Sequence, residues 1–250
     1  MKNNEYRKKG SMKGPLIAAA LLIVAGLAFL LFPTVTNAVY ERGVKAKRDA
    51  FEQRYALSES PVPEGETEEI ERDPVVETLY QELVRRNLRL FREKQKNLTD
   101  AFAYSQPTVD LSEYGIEENT IGYLSIPKMD VVLPILLGAN EYNMSRGAVH
   151  LTETSYPVGG ENTNCVIAAH RGMQTQAMFR DIELLELGDL IYIENFRETL
   201  VYEVVELRVI LPTDVNELLI QEGRDLVTLI TCHPYGRNYQ RYAVFCERVS

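Results

Sequence analysis

Cysteine, histidine and arginine side chains at three strand ends are the residues of this chain best suited to covalent chemistry. A nucleophilic thiol needs a thiolate, a group that takes and returns its proton, and a donor that stabilises an oxyanion. Cys232 follows the apolar run Leu226-Val-Thr-Leu-Ile-Thr231 and precedes the turn signal His233-Pro-Tyr-Gly236. The pattern predicts a thiol at the mouth of a rigid strand, where a loop meets solvent.

The other two cysteines lie inside apolar runs. Core packing explains Cys165 and Cys246, and a disulfide between them is the alternative. An odd number of cysteines leaves at least one thiol unpaired, and the spacing of the three matches no zinc pattern. The sequence therefore predicts no metal site and no cofactor. Three buried, inert thiols remain the competing interpretation from the count alone.

The three histidines of the chain are the candidate bases. His170 follows an apolar run and precedes a turn, whereas His150 lies among polar residues of an expected loop. His233 adjoins Cys232, and neighbouring strand residues point to opposite faces, so that its ring is poorly placed to share a proton with the thiol. The preferred order is therefore His170, His150 and His233, with a loop histidine of no chemical role as the alternative for each.

Arg241 follows Cys232 across the segment Pro234–Gln240. The length of this segment suits a loop between adjacent strands, which would return the guanidinium beside the thiol. A guanidinium is a fixed fork of N–H donors and suits the stabilisation of an oxyanion. An ordinary strand-edge cation is the alternative.

Short runs rich in Val, Ile, Leu and Tyr, separated by Gly, Pro, Asn and Asp, fill the chain from residue 121 onward. Their lengths and spacing predict about seven strands in a small, mostly β barrel or sandwich. The runs are Ile121–Pro127, Val131–Leu137, Cys165–Ala169, Leu190–Glu194, Leu200–Leu211, Leu226–Thr231 and Tyr242–Val249.

The segment Pro15–Phe32 carries no charge and follows a tail rich in Lys and Arg. As a helix it would span about 27 Å, close to the hydrocarbon thickness of a bilayer. The basic flank predicts a single-pass anchor in the cell membrane, with a cytoplasmic N-terminus and the rest of the chain outside. A signal peptide cleaved near Thr36-Asn37-Ala38 is the alternative, and it also predicts export.

The anchor and the β region are joined by two segments of different character. Residues 39–56 are charged and predicted to be helical, whereas residues 57–73 are acidic and predicted to form an extended spacer. Pro74 predicts the first turn of a helix that continues to about residue 98, with an apolar stripe at Val76, Leu79, Leu83, Leu90 and Phe91. The predicted organisation is a cytoplasmic tail (1–14), an anchor (15–33), a spacer (34–74), a helical segment (75–118) and a β domain (119–250). The net charge of −9 argues against a nucleic-acid partner.

Four blocks of this sequence resemble those of the sortase family and stand in the same order. They are Gly122-Tyr-Leu-Ser-Ile-Pro127-Lys128, Gly147-Ala-Val-His150-Leu with the following Thr154–Thr163, Ala169-His170-Arg171-Gly172, and Thr228-Leu-Ile-Thr-Cys232 with Pro234-Tyr235-Gly236 and Arg241. The resemblance covers residues 119–249 and implies a closed β-barrel of about eight strands with short helices. It also implies that Cys232 is the nucleophile, that His170 gives and takes the proton and that Arg241 stabilises the oxyanion. His150 matches a family position without a catalytic role.

Several details resemble class C sortases, which polymerise pilins: Cys-x-Pro-Tyr-Gly, Pro157-Val-Gly-Gly-Glu-Asn-Thr163 and a helix before the barrel. That class usually carries a lid with Asp-Pro-aromatic, and the matching segment here reads Asp100-Ala101-Phe102. Carried over, Asp100 would pair with Arg241 and Phe102 would cover Cys232; a helix end that packs on the barrel is the alternative. Many class C members also have a C-terminal membrane span, which the sequence to Ser250 does not contain.

The resemblance implies a cysteine transpeptidase that cleaves a sorting signal similar to Leu-Pro-x-Thr-Gly on a surface protein or pilin. The thioester on Cys232 would then be resolved by an amine, which is a pilin lysine in class C and part of a cell-wall precursor in housekeeping sortases. A housekeeping-type sortase is therefore one alternative. An inactive, membrane-tethered β-barrel binding module with an incidental thiol is another.

Overall fold

The computed structural model describes residues 13–55, 73–98, 100, 105–116, 119–172 and 176–249. Its strands are β1 Thr120–Ile126, β2 Val131–Leu137, β3 Ala148–His150, β4 Thr163–Ala168, β5 Leu190–Asn195, β6 Thr199–Ile210, β7 Asp225–His233 and β8 Gln240–Arg248. They close into a barrel in the order β1-β2-β3-β4-β7-β8-β6-β5. The predicted mostly β, closed barrel is confirmed.

Helices within the described residues are few, and most are short. The α-helices are α1 Lys13–Tyr55, α2 Pro74–Glu93 and α3 Glu141–Met144, and the 3₁₀ helices are Leu111–Tyr114, Pro127–Met129, Ile182–Leu184 and Val215–Leu218. The 3₁₀ helix Leu111–Tyr114 precedes β1, and the other short helices lie in the connections between strands.

The adjacent strands β4, β7 and β8 are buried on both faces. Ile167 and Leu229 belong to the cluster of buried residues that fills the barrel, whereas their neighbours Val166 and Ile230 belong to a second cluster with Leu98. Strands that are covered on both sides read as continuous apolar runs rather than as alternating patterns. This explains why the sequence around Cys165 and before Cys232 is apolar at nearly every position.

Several strand ends differ by one or two residues from the predicted runs, and two differences involve candidate site residues. His150 was expected in a loop but is the last residue of β3, a three-residue strand parallel to β2. So short a strand offers no alternating pattern, and its sequence neighbours are polar. β7 continues past the predicted end at Thr231, because Cys232 and His233 pair with Arg241 and Gln240 of β8.

The helix predicted from Pro74 begins there and is α2. Oδ1 of Asp73 accepts a hydrogen bond from the backbone N–H of Val75, at 2.8 Å, and so caps the first turn. The helix ends at Glu93, earlier than predicted, because Lys94 adopts a left-handed conformation with φ 56°. Lys94 is not a glycine, so the sequence carried no signal for that end.

α1 is one continuous helix that contains the apolar segment and continues beyond it. Its most apolar 18-residue window has a mean hydropathy of 2.7, and none of that window is buried. A helix with these properties is long and apolar enough to span a membrane. The acidic segment expected to be a spacer lies, apart from Asp73, outside the described residues.

The C-terminal half of α1 packs on the barrel. The guanidinium of Arg48 donates two hydrogen bonds to the carboxylate of Glu194, both at 2.5 Å, and Glu194 is buried. The ring of Phe51 meets Tyr123 edge to face, with 5.3 Å between ring centroids. The apolar segment and the barrel are therefore joined through a helix that is itself attached to the barrel wall.

Candidate active site

The antiparallel pairing of β7 and β8 places Cys232 opposite Arg241. The connection Pro234–Tyr239 reverses the chain between them, and Nη1 of Arg241 lies 3.9 Å from Sγ of Cys232. The guanidinium therefore returns beside the thiol across the loop, in the arrangement that the length of this segment predicts.

His170 comes to the same edge from the neighbouring strand β4. The parallel ladder with β7 continues beyond β4 through two bonds: Ala169 N–H donates to the carbonyl of Ile230 (3.3 Å), and the Thr231 hydroxyl donates to the carbonyl of Ala169 (2.7 Å). The paired register ends at Ala168 and Ile230, and two residues further along each chain segment it would set His170 level with Cys232. The thiol and the guanidinium thus come from β7 and β8, and the imidazole from the residue that lies two positions after β4.

Gly172 turns the chain immediately after this ladder. Its φ of +92° lies in the left-handed region, and a Cβ there would be 2.8 Å from Nε of Arg180. Only glycine avoids both the strained conformation and the clash. The turn lets His170 end its strand at the edge of the barrel.

The guanidinium of Arg241 is buried and held in place by fixed acceptors. Nη1 donates to the backbone carbonyls of Asn238 (2.8 Å) and Gln240 (3.0 Å). Nε and Nη2 donate to Oδ1 and Oδ2 of Asp100, at 3.1 and 2.8 Å. A two-pronged pair of this kind is strong and directional, so Asp100 fixes the plane of the guanidinium.

The segment that bears Asp100 is attached to the barrel on both sides. The side chain of Gln95 donates to the carbonyl of Glu153 (3.0 Å) and accepts from the N–H of Ile220 (2.6 Å), and Leu98 is buried. After Asp100, the N–H of Ser105 donates to the carbonyl of Ala139 at 3.0 Å. Phe102, expected to cover Cys232, lies outside the described residues.

Burial opposes charge on both the thiol and the imidazole. Burial raises the pKa of the half-buried Cys232 thiol, and Asp100 raises it further, whereas Arg241 and Arg171 lower it. Burial also lowers the pKa of His170 below its ordinary value. With Asp100 in place, the uncharged thiol and the uncharged imidazole are therefore favoured near neutral pH.

The remaining cysteines and His150 do not share this environment. Cys165 and Cys246 are buried without a disulfide, and burial raises the pKa of both thiols far above the ordinary value. Nε2 of His150 lies 3.2 and 3.1 Å from the carbonyl oxygens of Thr154 and Ser155, and burial lowers the pKa of the ring to about 4. The two thiols and this imidazole are parts of the packed interior.

Comparison with known proteins identifies the family. The family model described as "Sortase domain" matches residues 124–249, about half of the chain, which includes Cys232, His170 and Arg241. The chain belongs to the sortase family. Sortases are cysteine transpeptidases.

Individual sortases are similar over longer stretches. The sortase A of Bacillus anthracis is 30% identical over 158 residues, which cover 62% of this chain and 72% of that protein. The solved structure of sortase C1 from pilus island 1 of group B Streptococcus is 30% identical, with a TM-score of 0.68 over 82% of this chain and 92% of that one. The sortase C of Clostridium perfringens SM101 is 29% identical, with a TM-score of 0.63 over 82% and 99% of the two chains. Among sortases, the structural similarity is therefore to class C.

The sequence did not indicate that Arg171, Glu183 and His233 form a cluster next to Cys232 in this sortase. Arg171 is buried and contacts His233, the last of the three histidines in the predicted order of candidate bases. The carboxylate of Glu183 contacts both side chains. Glu183 carried no motif signal, because the contact joins segments that are distant in sequence. The Ala-His-Arg-Gly block was the available hint, since it set an arginine directly after His170.

Proposed function

We propose that Cys232, His170 and Arg241 catalyse transpeptidation in this sortase. The observation that carries the proposal is the strand pairing, which sets Arg241 of β8 opposite Cys232 of β7 and directs the end of β4, two residues before His170, to the same edge of the barrel. A thiol with a proton-transfer group and an oxyanion donor beside it is the set that acyl transfer needs.

The proposed reaction begins when the thiol of Cys232 passes its proton to His170 and Sγ attacks the Thr carbonyl carbon of a Leu-Pro-x-Thr-Gly-like signal. Arg241 stabilises the negative oxygen of the tetrahedral intermediate, and His170 protonates the leaving amine of Gly. The C–N bond breaks and a thioester remains on Cys232. An acceptor amine then attacks the thioester and gives up a proton to His170, and the thiol is released as a new amide forms.

The proposed substrates are surface proteins or pilins that bear the signal, and the proposed acceptor is a pilin lysine. Similarity to a structure named for a pilus island and to a second sortase C supports the pilus-assembly role. The similarity to a sortase A favours the second candidate, a housekeeping-type enzyme that uses the amine of a cell-wall precursor. No cofactor enters the proposed reaction.

An acceptor competition tests this proposal. The full-length protein in detergent micelles is incubated with a Leu-Pro-Glu-Thr-Gly peptide and equimolar lysine-bearing pilin-like peptide and oligoglycine, and the products are separated by mass. A product joined to the lysine side chain supports the pilin role, whereas a product joined only to oligoglycine supports the housekeeping role. Intact peptide after long incubation would contradict both and favour a binding module.

We also propose that Asp100, with Phe102, forms a lid over the site, so that the described structure is the closed form. The ion pair with Asp100 occupies the guanidinium that the oxyanion needs, and it opposes deprotonation of the thiol. The lid segment carries Ala101 where class C sortases have proline. Proline would restrict the open segment, and its loss favours opening by about 0.4–1 kcal/mol.

Removal of the lid residues is expected to expose the thiol. In Asp100→Ala and in Asp100→Ala with Phe102→Ala, Cys232 should react faster with a small thiol reagent at neutral pH. The loss of the carboxylate lowers the thiol pKa, and a decrease of 1 in that pKa raises the thiolate fraction about 10-fold. Asp110→Ala, which changes a carboxylate that caps a nearby 3₁₀ helix, is the matched control. Equal rates in all variants would mean that this segment does not gate the cysteine.

The proposed location is the cell membrane, with α1 as a single-pass anchor, the N-terminus in the cytoplasm and the barrel outside. The suggested cleavage site at Thr36-Asn37-Ala38 lies within α1, and Oδ1 of Asn37 accepts a hydrogen bond from the N–H of Ala177 at 2.8 Å. A helical site that is bonded to the barrel supports an uncleaved anchor.

Protease treatment of intact protoplasts tests this orientation. External protease is expected to digest the barrel and to leave the N-terminal tail protected, because the basic flank favours the cytoplasmic side. A tag at each terminus, read by immunoblot before and after lysis, provides the measurement. A soluble form that begins near Val39 would instead show signal-peptide cleavage.

A further inference from the structure

Arg171 directly follows His170, but its side chain is directed toward the strand of Cys232 and is only 7% exposed. Nη2 lies 2.8 Å from Oε2 of Glu183. Nη1 lies 3.0 Å from Nδ1 of His233 and 3.4 Å from the backbone carbonyl oxygen of Cys232. One guanidinium therefore links the end of β4, the end of β7 and the 3₁₀ helix Ile182–Leu184.

The surroundings of Arg171 offset part of the cost of burying its charge, although its buried Nε has no hydrogen-bond partner among the described residues. A guanidinium stays protonated, and its burial is costly unless a partner compensates. Glu183 supplies that partner, and the hydrogen bond from Arg171 is the main cause of the lowered pKa of this carboxyl. The ring of Tyr242 lies beside the cluster, with its centroid 5.8 Å from the guanidinium carbon. The cluster is thus closed by residues from four segments of the chain.

The cluster begins at the residue after His170, where it can hold the backbone of the candidate base. The backbone ladder between β4 and β7 holds Ala169 but extends no further, since the chain turns at Gly172. The carbonyl of His170 accepts a hydrogen bond from the N–H of Phe179 at 3.1 Å, and the side chain of Arg171 attaches the next residue to the strand of Cys232. Without the contacts of Arg171, the backbone at His170 would keep its bond to Phe179 but would be held less firmly to the nucleophile strand.

We propose that Arg171, held by Glu183, is a positioning residue that fixes the loop of His170 against the strand of Cys232. This inference rests on the catalytic roles proposed above for His170 and Cys232. A displacement of about 1 Å between reacting groups can cost on the order of 100-fold in rate. The substrate need not contact Arg171 for the residue to matter.

The charge of Arg171 also has a measurable effect on the pKa of the Cys232 thiol. The groups around the thiol include Arg241, Asp100, His170, His233 and Arg171 itself. The positive charge of Arg171 lowers the thiol pKa, so its removal raises that pKa. Removal of the Glu183 charge leaves the charge of Arg171 in the protein, so the pKa of the thiol should not rise. A loss of stability alone would not reproduce this difference.

The test uses the full-length protein in detergent micelles, with Arg171→Met, Arg171→Lys and Glu183→Gln. The controls are Arg224→Met and Glu247→Gln, a 2.7 Å ion pair that joins β7 and β8 at their opposite ends. We measure kcat and KM for peptide cleavage, the pH dependence of Cys232 alkylation and the melting temperature. Arg171→Met should lower kcat about 10- to 100-fold with little change in KM and should shift alkylation to higher pH. Arg171→Lys should recover part of kcat, Glu183→Gln should lower kcat without that shift, and the controls should match the wild type.

Wild-type kcat and an unshifted alkylation profile in folded Arg171→Met would overturn the inference. If that variant does not fold, Glu183→Gln decides, because its side chain is half-exposed: wild-type kcat there would overturn the inference. Cys232→Ala separates this result from a failure of the proposed function. Cleavage by Cys232→Ala would contradict the proposed function. If Cys232→Ala is inactive and Arg171→Met is fully active, only the role proposed for Arg171 is contradicted.

Discussion

Cys232→Ala is expected to abolish acyl-enzyme formation and peptide cleavage, whereas Cys165→Ala and Cys246→Ala should retain turnover. Cys232 is the one half-buried thiol, and the guanidinium of Arg241 lies beside it. The other two thiols are 3% and 0% exposed, so that no substrate carbonyl can approach them. Their replacement removes packing alone, with a cost to the free energy of unfolding of about 1 kcal/mol.

Initial rates of peptide cleavage and melting temperatures, measured on the three variants together, separate chemistry from stability. The expected pattern is an inactive Cys232→Ala with the wild-type melting temperature, and two active variants with slightly lower melting temperatures. Cleavage by Cys232→Ala would contradict the mechanism. If Cys165→Ala or Cys246→Ala is inactive but melts like the wild type, the replaced cysteine rather than Cys232 would be the nucleophile.

His170→Ala and Arg241→Ala are each expected to lower the rate of cleavage at least about 100-fold. In the proposed mechanism, the first variant lacks the group that protonates the leaving amine, and the second lacks the N–H donors that stabilise the oxyanion. Arg241→Lys keeps the charge but not the planar fork, and it should recover little activity. Near-normal kcat/KM in Arg241→Ala would remove the role assigned to that guanidinium.

In the proposed mechanism, Cys232 and His170 are expected to give a bell-shaped dependence of kcat/KM on pH. Turnover requires the pair of Cys232 and His170 to hold one proton, and the two groups titrate together. Because the imidazole pKa is lowered, the acid limb lies below the ordinary pKa of histidine; because the thiol pKa is raised, the alkaline limb lies above that of cysteine. Asp100→Ala should move the alkaline limb to lower pH, since the carboxylate raises the thiol pKa. A profile without an alkaline limb would contradict the pairing.

Much of the barrel and the placement of the site could be predicted from the sequence, because both depend on local signals. Apolar runs that end in polar residues mark the ends of β4 and β7, and the length of the loop before Arg241 predicts its return to Cys232. The predicted bounds of β2, Val131–Leu137, match the observed ones because this apolar run is flanked by Asp130 and Gly138.

Features that depend on distant contacts could not be predicted. β3 forms because three residues find a parallel partner in β2, and no local pattern marks them. The attachment of α1 to the barrel through Arg48 and Glu194, and the cluster of Arg171 with Glu183, join residues far apart in the chain. Charged residues of this kind look like surface residues in the sequence, and the burial of Glu194 and Arg171 is visible only in the folded chain.

The most direct test of the account is to trap the acyl-enzyme and locate it. The full-length protein is incubated with excess Leu-Pro-Glu-Thr-Gly peptide without an acceptor amine, quenched in acid, digested and analysed by mass spectrometry. The account predicts a Leu-Pro-Glu-Thr adduct on the peptide that contains Cys232, which hydroxylamine removes and which is missing in Cys232→Ala. An adduct on Cys165 or Cys246, or cleavage that continues without any adduct on Cys232 in wild type and in Cys232→Ala alike, would contradict it.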